Sequence, residues 1–138
     1  MRAALLSLLL LGACATSPAS TPNLAGTSWT LVSLSAANSS NAARRPSIQF
    51  ETSRAHGSAG CNAWAADFTQ SGADLSFGGA LMTRMACQTG MDVEHAFGAA
   101  LQHTRHVEVS GTTLILRSDN NGELARFSRA ADTPPQGS

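Results

Sequence analysis

A chain of 138 residues, 43% hydrophobic and 13% charged, is one domain's worth of protein and too apolar for wholesale disorder. Its nine acidic residues are balanced by nine basic ones, all arginines, which stand singly apart from Arg44 and Arg45. No basic surface tracks a phosphate backbone, and no charge excess draws the chain to an anionic membrane, so nucleic acid and electrostatic membrane docking are both argued against.

The chain opens with Met1 and Arg2, an apolar run from Ala3 to Leu11 with one serine, and then Gly12 and Ala13. A positive start, a short apolar stretch and small residues at the end form a secretory signal, and the run is about half the roughly 20 residues a spanning helix needs. Leu11-Gly12-Ala13-Cys14 resembles the lipobox of bacterial lipoproteins. That resemblance implies cleavage before Cys14 and acylation of its thiol. Removing the first 13 of 138 residues would leave 125. The competing reading is an ordinary cleavable signal with Cys14 incidental. Ala15, rather than aspartate, follows the cysteine, and by the same resemblance this favours the periplasmic face of the outer membrane over inner-membrane retention.

Three cysteines are an odd number for an exported protein. With Cys14 set aside for lipid, Cys61 and Cys87 remain for one another in an oxidising compartment. Pairing them closes a loop worth roughly 3 to 3.5 kcal/mol on the chain-entropy model. The alternative, a redox-active pair, lacks a Cys-x-x-Cys spacing and has Arg84 as its nearest basic neighbour, so a structural disulfide is expected.

Residues 14–23, rich in serine, threonine and proline, read as a flexible tether, and 130–138 as a disordered tail. Between them, over 24–129, no repeat or linker interrupts a single domain. Trp29 to Leu34 carries apolar residues on both faces of a strand, and Ile48 and Phe50 mark a second. Arg54 to Ser58 is a third. Trp64, Ala66 and Phe68 share one side of a fourth, and Ser71-Gly72 turns the chain toward Leu75 and Phe77. Leu81, Thr83 and Met85 alternate toward Cys87 as a further strand. The period then changes: Val93, Ala96, Phe97, Ala100 and Leu101 fall at helical spacing within Met91 to His103, with Thr89 and Asp92 placed like a capping box. Val107 and Val109, then Leu114 and Leu116, alternate around Ser110-Gly111, and Asn121-Gly122 is a hairpin signal before a last strand spanning Leu124 and Phe127. The expected fold is mainly β: a small closed or nearly closed antiparallel barrel with a single helix, stapled by one disulfide.

Three stretches then carry a resemblance: Leu24-Ala25-Gly26-Thr27-Ser28-Trp29-Thr30-Leu31, Gly57-Ser58-Ala59-Gly60-Cys61-Asn62, and Thr83-Arg84-Met85-Ala86-Cys87 ahead of the helix. In this order they resemble the META domain family of HslJ-like proteins across essentially the whole domain. The resemblance implies a barrel-like fold with a packed helix, often carried on envelope lipoproteins and associated in general terms with envelope or heat stress. It implies no reaction. Trp64 is taken as the aromatic residue that family members carry after Gly-Cys-Asn, here displaced one place by Ala63.

The residues themselves point the same way. Glycines at 57 and 60, with Asn62, make a tight corner that aims Cys61 toward Cys87, and this corner is expected to lie outside the barrel. Its structural reading is the simpler one. Its functional reading is a binding loop using His56, Ser58 and Asn62. His56-Gly57-Ser58-Ala59-Gly60 lacks the first glycine and the strand-turn-helix setting of a hydrolase elbow. His56, His95, His103 and His106 offer no evident convergent metal set, and Asp92 and Glu94 suit the first turn of a helix electrostatically. No catalytic residue, cofactor or metal is expected. The sequence supports a non-enzymatic envelope protein with a protein partner, with a carrier of a small apolar ligand in the barrel interior as the alternative and a hydrolase the third reading.

Overall fold

A computed structural model of the chain describes residues 12–14 and 21–130. Most of the expected signal segment, residues 15–20 of the expected tether and residues 131–138 of the expected tail lie outside the described residues.

Among the described residues nine strands and one α-helix, with a single 3-10 turn at Ser39–Asn41, follow in order: β1 (Ser28–Leu34), β2 (Ser47–Phe50), β3 (Arg54–Ser58), β4 (Ala63–Ser71), β5 (Asp74–Phe77), β6 (Leu81–Met82), α1 (Met91–His103), β7 (His106–Ser110), β8 (Thr113–Arg117) and β9 (Glu123–Arg129). All pairings are antiparallel. Eight strands form a ring in the order β3-β2-β1-β9-β8-β7-β5-β4, closed by β4 on β3, and the two-residue β6 shares with β5 the second edge of β4. Closure removes the open edges that an eight-stranded sheet would otherwise expose.

The ring has one thin seam. β5 meets β7 through the single residue pair Asp74 and His106. Two backbone bonds flank it, Leu75 N–H to Arg105 C=O at 2.9 Å and Val107 N–H to Ala73 C=O at 2.8 Å.

The interior is filled by side chains. Trp29, Phe50, Phe97, Phe127, Leu24, Ile48, Leu75, Leu101, Leu114 and Leu116 are fully buried. Edge-on aromatic contacts run from Phe50 to Phe68, from Trp64 to Phe97 and from Phe97 to Phe127, with centroids 5.2, 5.6 and 6.3 Å apart. α1 packs against β1, β5 and β9, and its Phe97 is the link between the aromatic groups of β4 and β9. Both indole N–H groups are satisfied inside, Trp29 by the Thr27 hydroxyl at 2.7 Å and Trp64 by the Ser47 carbonyl at 3.1 Å.

The expected elements are present, with three local corrections. β1 does not alternate to its end: the register against β9 shifts between Leu31 and Ser33, so Val32 is 52% exposed and Leu34 turns inward. A bulge adds one residue to one strand and reverses the facing of those beyond it. The capping box is absent, because Gly90 with φ 92° occupies the cap position and makes no side-chain cap bond. A Cβ there would stand 2.6 Å from the Ala43 amide nitrogen, so packing on residues 42–43, not local capping, fixes where the helix begins. The third concerns Leu81 to Cys87. Only Leu81–Met82 is strand, and Leu81 and Met85 are 74% and 55% exposed rather than core.

Candidate functional site

Residues 57–62 are held by close backbone approach. At Gly57 a Cβ would lie 2.2 Å from the Ser47 carbonyl oxygen of β2, so only a residue without a side chain lets β3 approach there. Gly60 has φ 120°, and its carbonyl accepts from the Arg44 N–H at 2.7 Å.

Contrary to the sequence expectation, this corner is not on the outside. Ala59, Gly60, Cys61 and Asn62 are all buried. They lie under the start of α1 and under a strap, residues 83–87, which the Cys61–Cys87 disulfide ties down with its Cα atoms 6.0 Å apart. The physical reason is Asn62, which organises both neighbours from a site only 2% exposed. Its N–H donates to Glu94 Oε1 at 2.8 Å and its Nδ2 to Glu94 Oε2 at 3.1 Å and to the Met85 carbonyl at 3.1 Å. Its Oδ1 accepts from the Met85 N–H at 2.6 Å and the Thr83 hydroxyl at 3.0 Å. Every polar group of the side chain is thereby spent within the protein.

The three residues suggested as a binding loop therefore separate. His56 and Ser58 share one face of β3 and are half-buried, with His56 Nε2 3.3 Å from Glu51 Oε1 and the Ser58 hydroxyl accepting from the Gly60 N–H at 3.3 Å. Asn62 sits in the interior. Glu94 is the residue the sequence reading missed in this role. It is 6% exposed, and its carboxylate holds Asn62 rather than merely facing the helix dipole.

Elsewhere the surface is ordinary in its electrostatics. His95 and His103 are exposed, and His106 Nδ1 stands 3.0 Å from Asp74 Oδ1. The hydrogen bond from Arg126 holds the Glu123 carboxyl below its usual value of 4.5, against a smaller opposing effect of burial. Among the described residues no group of three or more His, Cys, Asp or Glu is placed to hold a metal ion, and no helix is long and apolar enough to cross a membrane.

A closed eight-stranded antiparallel barrel with one packed helix and a disulfide-tied corner defines a small β-barrel class. Within it the family model of the META domain matches residues 22–131, and the chain belongs to the META domain family. Among solved structures the chain is similar to a protein from Burkholderia xenovorans determined by NMR, 28% identical over 83% of this chain and 95% of that one, with a TM-score of 0.63. A second NMR structure is 20% identical over 76% and 90%, with a TM-score of 0.60. The crystal structure of a duf4847 family protein from Bacteroides vulgatus is 13% identical over 76% and 93%, with a TM-score of 0.55. The last two carry the fold alone. No curated protein matches the chain.

Proposed function

We propose that this META domain protein is anchored in the cell envelope by lipid on Cys14, at the periplasmic face of the outer membrane, and acts there without catalysis by recognising an envelope protein through its outer surface, as part of a response to envelope stress. The observation that carries the recognition reading is the filled interior: the positions that would line a carrier's cavity hold Trp29, Phe50, Phe97 and Phe127, all fully buried. What the domain offers a partner is outside. Leu81 and Met85 are large apolar side chains held in solvent on and next to β6, where burial against the core would otherwise be expected.

The anchor reading rests on the sequence around Cys14, whose thiol is free and exposed. It is also compatible with how the chain enters the fold. The Pro22 carbonyl accepts from Gln70 Nε2 at 2.7 Å, and Leu24 is fully buried, so the chain is fixed to the barrel beside the end of β4. Pro22 stands eight positions after Cys14, which limits the distance from lipid to barrel to about 28 Å.

Fractionation of a bacterial host expressing the protein tests the anchor: the wild-type chain should partition with membranes, and Cys14→Ser should release or misprocess it. Soluble wild-type protein with an unmodified Cys14 would overturn it.

A further inference from the structure

A cleft of about 460 Å³ opens on the outer wall at the thin seam between β5 and β7. Its walls include Asp74 and Leu75 of β5, Arg105, His106, and Asp119 from the turn between β8 and β9. It adjoins a smaller cleft of about 190 Å³, and Arg105 and Asp119 line both. The cause is topological. With one residue pair joining β5 to β7, this part of the wall has no run of cross-strand side-chain pairs.

The two shared residues carry opposite charges and do not meet. Arg105 donates from Nη1 to the carbonyls of Gln102 and Thr104, at 3.0 and 2.7 Å, which fixes the guanidinium at the end of α1. Among the described residues its Nε and Nη2 have no acceptor, and neither Arg105 nor Asp119 has an ion-pair partner. One Asp119 oxygen accepts from the Asn120 N–H at 2.8 Å, which sets the orientation of that carboxylate. The other polar groups facing one another in the larger cleft, Asp74 and His106, are hydrogen-bonded together at 3.0 Å.

We propose that this cleft binds a small zwitterion, an amino acid or dipeptide, with its carboxylate on the free fork of Arg105 and its ammonium on Asp119. A planar guanidinium already held by two carbonyls presents its remaining donors to a carboxylate with little further ordering, and bidentate geometry makes this the stronger half of the contact. A body of one or two residues suits the volume, which falls within the roughly 300–1,000 Å³ of small-molecule sites. The inference is independent of the anchor and of the surface around Leu81 and Met85.

The test is an amide-resolved NMR titration of the purified full chain with alanyl-alanine, N-acetyl-alanyl-alanine and alanyl-alanine amide. Saturable shifts are expected at the amides of 104–107 and 118–120 with alanyl-alanine, and binding at least tenfold weaker for each singly charged analogue. Arg105→Lys keeps the charge but loses the fork, and Asp119→Asn removes only the anion. Each, shown folded by circular dichroism, should weaken alanyl-alanine at least tenfold. Absence of a saturable shift, shifts confined to other regions, equal binding of either analogue, or unchanged affinity in Asp119→Asn would overturn the proposal.

Discussion

Asn62 and Glu94 lie 32 residues apart and meet at two points, the Asn62 N–H on one carboxylate oxygen at 2.8 Å and its Nδ2 on the other at 3.1 Å. The contact joins the start of β4 to the first turn of α1, and through Met85 and Thr83 the same asparagine holds the strap.

Replacing Asn62 by alanine keeps the backbone N–H on Glu94 Oε1 but removes the side chain that pairs Glu94 Oε2, the Met85 N–H and C=O and the Thr83 hydroxyl. Loss of about 3 kcal/mol or more is expected in denaturant unfolding. Asn62→Asp is nearly isosteric but sets a second carboxylate against Glu94. Its destabilisation should grow as pH rises through the ordinary carboxylate range, because the folded state disfavours ionising both groups and so loses stability where the unfolded chain ionises freely. A loss independent of pH would contradict the geometry.

The disulfide acts on the same two segments. Cys61→Ala and Cys87→Ala should each lower stability by about 2 to 5 kcal/mol, and the double variant should cost little more than either alone, because each removes the one shared bond. Additive losses in urea unfolding would argue that the cysteines act separately.

These particulars explain what could be read from the chain and what could not. The helix was legible because Val93, Phe97, Ala100 and Leu101 repeat at helical spacing and all are buried. The Cys61–Cys87 bond was legible from cysteine number, once Cys14 was set aside by its resemblance to a lipobox cysteine. The partnership of Asn62 with Glu94 was not, since no local pattern links residues that meet only after the barrel closes, and a glutamate in a first helical turn has a sufficient local explanation. Val32 and Leu34 misled for a related reason: a bulge set by pairing with β9 leaves no mark in the alternation. The alternation of Leu81, Thr83 and Met85 in the sequence makes no strand beyond Met82, because Thr83 and Met85 belong to a strap whose course is set by bonds to Asn62.

Close approach of β3 to β2 makes Gly57 intolerant of any side chain. Gly57→Ala should cost at least about 3 kcal/mol, since the carbonyl it would strike belongs to strand backbone and cannot rotate away. Gly79→Ala is the matched control. Nothing lies within 4 Å of a Cβ there, and stability should change by about 0.5 kcal/mol at most. Thermal or urea midpoints of the two variants, measured together, check the contrast.

The central claim, recognition by the outer surface of a filled barrel, is tested most directly by titrating the folded protein with a medium-chain fatty acid while following tryptophan emission. Trp29 and Trp64 are both buried in the interior, so any apolar ligand that entered would have to displace their neighbours and change their emission. The account predicts no saturable change in emission. Saturable quenching at one ligand per chain would contradict it and make the domain a carrier.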